Sequence, residues 1–303
     1  MVGIARMTSQ TVQRRARRWL GATVAIVLVG DGALLYLHSP AHVVTVDNAV
    51  QRYRASTASA PATRPITANT ATTVVAPSHA VLQPSAPAGS APGAAAATGP
   101  TYAAPKNGVY TYDTSGFEET DAVGGARHDY PAQTTVTVRP QDCGWVQHWQ
   151  PLEERWDDVD VCVNDNTWIL TGVKTFHEFF RQTQEQDSTC DPGAVYMPRP
   201  TTPGTTSTFT CGGSFGAMNF TARVVGPETV AVAGTPTSGL HVHYAVAFTG
   251  SNRGSGTYDE WTASSGALLQ RTWDMHIVTD SPFGTVHYDE HYKITLTSVG
   301  PRT

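Results

Sequence analysis

The sequence predicts a mainly β protein in three parts: an N-terminal transmembrane helix, a disordered linker and an antiparallel β-sheet domain with at most one or two short helices. Three observations carry this reading. Glycine and proline supply 27 and 20 of the 303 residues while charged residues make up only 15%, a composition of turns and strands rather than long helices. Segments toward the C-terminus alternate apolar and polar residues with period two, as half-buried strands do. One uninterrupted nineteen-residue stretch, 19–37, is apolar enough to cross a bilayer and follows directly on a group of arginines.

The basic N-terminus, residues 1–18, holds five arginines and no acid. Arg14, Arg15, Arg17 and Arg18 precede the apolar stretch, which opens on Trp19 and closes on Leu37. At 1.5 Å per residue it spans about 28 Å, close to the roughly 30 Å hydrocarbon core. The arginines keep residues 1–18 in the cytoplasm, and Trp19 and Tyr36 stand where interfacial aromatics belong. The reading is a single-pass plasma-membrane anchor with an extracytoplasmic C-terminal domain. A cleaved signal peptide ending near Ser39-Pro40-Ala41 is the rival, but its apolar region would normally be about 7–15 residues. Asp31, between Gly30 and Gly32, lies toward the outer end of the span, where its insertion cost falls below the ~2.5–3.5 kcal/mol of a central position.

Residues 38–105 read as an extracytoplasmic linker. Ala, Pro, Ser and Thr fill 38 of the 51 positions from 55 to 105, too little apolar surface to offset chain entropy. A coil of that length reaches roughly 35–43 Å, which would hold the next domain away from the membrane.

The β domain is expected over residues 106–303. Its 12 Lys and Arg against 23 Asp and Glu exclude nucleic acid as a partner, because phosphate binding needs a basic face. All four cysteines, Cys143, Cys162, Cys190 and Cys211, fall here, an even number that reads as two disulfides in an exported chain. Of the three pairings, Cys143–Cys162 with Cys190–Cys211 is favoured, each closing a loop of about twenty residues and contributing on the order of 3 kcal/mol.

The strands are read in order at 109–114, 134–139, 144–150, 167–174, 207–211, 219–225, 228–233, 240–249, 271–279 and 286–297, with turn signals at 226–227, 234–236, 251–256, 264–266 and 281–284. In 240–249, Leu240, Val242, Tyr244, Val246 and Phe248 share one face, with His241 and His243 on the other. In 286–297, Val286, Tyr288, Tyr292, Ile294 and Leu296 oppose His287, Asp289, His291 and Lys293. In 271–279, Trp273, Met275 and Ile277 oppose Asp274 and His276. One wet and one dry face along each strand marks an antiparallel sheet. A helix is read at 175–186 from the spacing of Phe176, Phe179 and Phe180, with a strand as the alternative.

Asp259-Glu260-Trp261, followed by Ser265-Gly266-Ala267-Leu268 and Arg271, resembles the acid–aromatic, Gly-turn, Leu, Arg hairpin of lipoprotein-carrier (LolA-like) half-barrels over about 50 residues. More broadly, Gly108 to Tyr112, His128-Asp129-Tyr130-Pro131, the four cysteines and Tyr288 to Tyr292 resemble uncharacterised single-pass actinobacterial exported β-rich proteins. The carrier resemblance implies a curved sheet, half-barrel or barrel-like, wrapped about a helix and enclosing an apolar cavity for acyl chains. The chain departs from that group in lacking a lipidation cysteine, in its four-cysteine pattern and in having no long helix.

Candidate chemistry is sparse. Gly212-Gly213-Ser214-Phe215-Gly216 matches G-x-S-x-G, but a nucleophile elbow needs a strand entering and a helix leaving, and residues 219–225 read as a strand. Imidazole and carboxylate on one sheet face, His287, Asp289 and His291 with His276, His241 and His243, are candidate zinc or copper ligands against the alternative of an ordinary solvated face. The acidic run Glu153, Glu154, Asp157, Asp158 and Asp160 lacks EF-hand spacing. No catalytic residue is assigned and no cofactor is implied. The expected function is a membrane-anchored, extracytoplasmic, non-catalytic module that binds a hydrophobic ligand or a cell-envelope protein. The alternative is a metal-dependent or serine hydrolase of the cell envelope.

Overall fold

A computed structural model describes residues 41–59, 102–281 and 284–303. The membrane span read at 19–37 lies outside these residues; among the described ones no helix is long and apolar enough to cross a membrane. The architecture is mainly β. Its strands are β1 (Gly108–Thr120), β2 (Ala126–Asp129), β3 (Gln133–Gln141), β4 (Gly144–Leu152), β5 (Arg155–Asn164), β6 (Thr167–Phe179), β7 (Gln182–Cys190), β8 (Thr206–Gly213), β9 (Gly216–Val232), β10 (Thr235–Gly250), β11 (Asn252–Thr262), β12 (Leu268–Ser281) and β13 (Gly284–Leu296). A helix, α1 (Val46–Ala58), precedes them.

Each strand pairs antiparallel with its neighbour, and β13 pairs with β1, so twelve strands close into a barrel. The short β2 adds to the outer half of β1, beside the segment paired with β13. Closure removes the exposed edges an open half-barrel would leave. Of the two forms expected, half-barrel or barrel-like, the barrel is the one present: the sheet closes on itself, and α1 packs Ala49 and Val50 against Val109 on the outside.

Gly116 makes the closure sterically feasible. It sits where β1 exchanges β3 for β2, at a φ of +140°, opposite Tyr292 of β13. A Cβ there would lie 2.1 Å from the His291 carbonyl oxygen.

The segmentation differs from the sequence reading in five places. The predicted helix at 175–186 is the β6–β7 hairpin, turned by Phe180 and Arg181 at φ +53° and +59°, the signature of a type I′ turn. The phenylalanine spacing reflects alternation plus a turn: Phe176 stacks on Trp156 at 5.6 Å, Phe179 lines the interior and Phe180 stands on the turn. The acidic run at 153–160 is mostly strand β5. The expected turn at 226–227 lies inside β9, where a bulge absorbs the irregularity, and much of the expected 251–256 turn is strand β11. Residues 41–59, at the start of the region read as linker, are packed on the barrel through α1 and the Val43–Leu152 bridge.

Both disulfides form as expected. Cys143–Cys162 ties the β3–β4 turn to β5, and Cys190–Cys211 joins directly opposed residues of β7 and β8. The two ends of the barrel differ. At one end residues 191–205 fold inward: Ala194, Tyr196 and Met197 are buried, and Tyr196 N–H donates to the Trp168 carbonyl at 2.9 Å. Trp145, Trp168, Leu240, Leu269, Ile294 and Leu296 pack this end solid. The other end carries the β4–β5, β6–β7, β8–β9 and β10–β11 turns and is open.

Candidate functional site

The site follows from the inward rows of the sheet. Tyr244, Tyr258, Trp273 and Tyr292 face one another in register on β10 to β13. Tyr244 and Tyr258 stack at 4.2 Å, and Trp149 closes on Tyr292 at 4.3 Å. This aromatic belt divides the packed end from the open end. Toward the mouth the rows continue as Val246, Gly256, Met275 and Glu290, then Phe248, Gly254, Ile277 and Tyr288. The glycines supply no side chain where neighbouring strands supply bulky ones, and space remains. The result is a cavity of about 480 Å³ walled by residues such as Val173, Met218, Phe220, Phe248, Met275 and Ile277, with Phe180 and Val123 at its rim.

Two ionic networks bound this cavity. On one wall Arg155, itself buried, donates Nε to Glu290 Oε1 at 2.9 Å and one amino group to Glu290 Oε2 at 3.1 Å, and it grips both oxygens of Asp157 at 2.5 and 2.8 Å. Glu118 faces Glu290 across the β1–β13 seam. His128 and His177 each place Nδ1 2.9 Å from a Glu118 oxygen, and the Tyr288 hydroxyl donates to Glu118 at 3.0 Å. Tyr130 donates its hydroxyl to Glu290. Burial alone would raise the Glu118 pKa, but the hydrogen bonds from His128 and His177, with the charges of His177 and Arg155, outweigh it and hold the carboxyl at about 2. Glu290 goes the other way: its burial raises it despite the attraction of Arg155.

The second network lies one row beyond the belt. Glu260 and Arg271 oppose each other on β11 and β12; Arg271 Nε donates to Glu260 Oε1 at 2.7 Å, and the Tyr196 hydroxyl donates at 2.7 Å to the other oxygen. These are the glutamate and arginine of the hairpin that carries the carrier-like resemblance. Burial drives the Tyr196, Tyr244 and Tyr258 hydroxyls well above the ordinary tyrosine range, and the Tyr244 hydroxyl donates to the Tyr196 carbonyl at 2.9 Å.

The sequence-read histidines stand on the other side of the sheet. His276 Nδ1 lies 2.7 Å from Asp289, and His291 Nδ1 lies 3.3 Å from Asp274. His241 and His243 share Asp259 Oδ1 at 2.7 and 2.9 Å. The His287 ring faces that of His276 at 5.4 Å. The structure therefore brings these residues together in pairs and threes of imidazole and carboxylate along the outer surface. No group of three or more His, Cys, Asp or Glu among the described residues has a metal-holding arrangement. Ser214 stands on the two-residue turn between strands β8 and β9, without the departing helix an elbow requires.

Sequence reasoning missed Glu118, Arg155, Glu290 and His177. Strict alternation was the available signal: Glu290 has the same parity as Tyr288 and Tyr292, as Arg271 has that of Trp273. No family model, curated protein or solved structure matches the chain.

Proposed function

We propose that this protein is a membrane-anchored, extracytoplasmic, non-catalytic module whose barrel takes up the apolar part of a hydrophobic small molecule. The cavity carries the reading: its volume of about 480 Å³ falls within the roughly 300–1,000 Å³ of small-ligand sites, and its upper walls are aliphatic, thioether and aromatic. The two disulfides support an oxidising, exported setting.

The ionic networks define what the cavity will not take. Every nitrogen of the Arg155 guanidinium already donates to a carboxylate. Asp157, Glu118 and Glu290 outnumber that one arginine. An anionic headgroup would meet carboxylates in a low-dielectric site and would carry a large desolvation cost. The buried part of the ligand is therefore an uncharged chain, with any charged head left at the rim.

The test is binding of an environment-sensitive apolar dye, displaced by long-chain alcohols and by lipids. Val173→Trp, which fills space in the wall, should lower dye affinity at least tenfold while thermal unfolding stays cooperative. Equal binding by the folded variant would place the dye elsewhere and remove the cavity as the site.

A further inference from the structure

The chain reaches the barrel at the cavity's open end. Val43 forms a bridge with Leu152, and Glu153 N–H donates to the His42 carbonyl at 2.8 Å. The His42 amide donates to Glu154 Oε2 at 2.9 Å, and its ring Nδ1 lies 2.5 Å from Glu154 Oε1. Residues 42 and 43 are thus fastened to the β4–β5 turn. That turn stands beside the rim: Glu154 O accepts from Glu178 N–H on β6, one residue before Phe179 of the cavity wall. From there α1 crosses the outer face, where Arg52 bonds Gln150 at 2.8 Å and Glu153 at 2.5 Å, and Arg54 bonds the Thr303 carbonyl at 2.8 Å. The strap is held at both ends and cannot pivot freely.

The membrane span read from the sequence ends at Leu37. Four residue steps separate it from Ala41, and an extended chain covers at most about 3.6 Å per residue, so roughly 14 Å at full stretch. We infer that this short tether holds the barrel mouth-first against the outer leaflet, and that the ligand enters from the bilayer as a membrane lipid presenting an acyl chain. The inference rests on the membrane-anchored, ligand-binding reading above and adds the orientation and the source. The tether supplies the approach, because the rim mixes charge of both signs: Asp121, Glu153, Glu154 and Glu178 lie on its turns and strand ends beside Arg52, Arg181 and Arg253, and such a mixture does not draw a protein to anionic lipid. Exposed large apolar side chains stand at both ends, Val43 and Val123 at the open end and Val163 and Val299 at the packed end, and of these Val123 is 74% and Val163 39% exposed. These two form a matched pair of reporters.

The experiment uses the full chain in phosphatidylcholine vesicles, with a bimane fluorophore on Val123→Cys or Val163→Cys and a spin-labelled lipid headgroup as quencher. Quenching should be several-fold stronger at position 123. Thr183→Cys, also on the cavity rim, serves if the first variant does not fold. Inserting twenty Gly-Ser residues after Pro40 should abolish the difference. Equal quenching, stronger quenching at 163, a difference that survives the insertion, or recovery of the chain as a soluble species cleaved near residue 41 would each overturn the inference. Native mass spectrometry of the same protein separates the two readings. Bound lipid without the quenching asymmetry leaves the cavity standing and removes the orientation. Asymmetry without bound lipid leaves the orientation and removes the cavity as a lipid site.

Discussion

Strands β12 and β13 carry charged side chains on both faces, and the two faces behave as different materials. On the outside, His276 pairs with Asp289 and His291 with Asp274 at a surface where Asp274 is 71% exposed. On the inside, one residue along, Glu290 is fully buried and holds Arg155, which is buried too. Exposed pairs are worth about 0–1 kcal/mol because water solvates either partner when the other leaves. A buried pair has no such fallback, and its removal exposes the full cost of a stranded charge. A single step in the alternation thus separates ions that decorate the barrel from ions that hold it closed across β1, β5 and β13.

The sharpest way to break this comparison is to remove the central cation. Arg155→Met leaves Glu290, Asp157 and Glu118 without their shared countercharge and should cost about 3–5 kcal/mol in chemical denaturation. Combining it with Glu290→Leu should restore part of that loss, since two opposed charges leave together. A fully additive double variant would show that the pair does not interact. The packed end provides the apolar reference: Leu296→Ala should cost about 2–5 kcal/mol, the range for a large-to-small core change, with no effect on dye binding, because Leu296 lies beyond the aromatic belt.

Acid titration addresses the same network without mutation. Glu118 is held at about 2 in the folded protein against an ordinary 4.5. A depressed carboxyl stabilises the fold at all pH values above its unfolded pKa, so the contribution is intact at neutral pH. It is lost progressively as the pH falls from about 4.5 to about 2, and on the order of 3 kcal/mol is at stake. Glu290, raised by burial, acts in the opposite sense, because protonation relieves its desolvation. Glu290→Gln should therefore steepen the acid-side decline of stability.

How much of this was legible in the sequence follows the same division. The period-two pattern of 240–249, 271–279 and 286–297 placed the strands and their faces correctly, because each has a continuous apolar side. β5 was missed because its inward residues begin Arg155, Asp157, which removes the apolar signal where the network needs charge. Glu290 was passed over because a single acid among Tyr288, Tyr292 and Ile294 disturbs an otherwise dry face. The partners that make it sensible, Arg155 and Tyr130, stand 135 and 160 residues away in the chain. Long-range ion pairs leave no local pattern. Barrel closure is equally non-local: it depends on the pairing of β1 with β13, which only Gly116, with its close approach to Tyr292, hints at.

The smallest effect is expected on the outer face, and it is where the metal reading can be tested. His287 and His291 stand on β13 facing solvent, with His291 42% exposed beside Asp274 and its ring 5.3 Å from that of Phe117. His287 contributes its backbone amide, not its ring, to Asp121 at 2.7 Å, and that bond survives truncation of the side chain. Replacing both histidines with alanine should change stability by less than about 0.5 kcal/mol, the usual range for surface sites. The measurement is denaturant unfolding of wild type and double variant, each with and without added zinc. If the wild type gains stability with zinc and the variant does not, or if the purified protein carries stoichiometric metal that the variant loses, these imidazoles are ligands and the outer face is a second functional surface. A common small response in all four titrations leaves these two imidazoles as ordinary surface groups.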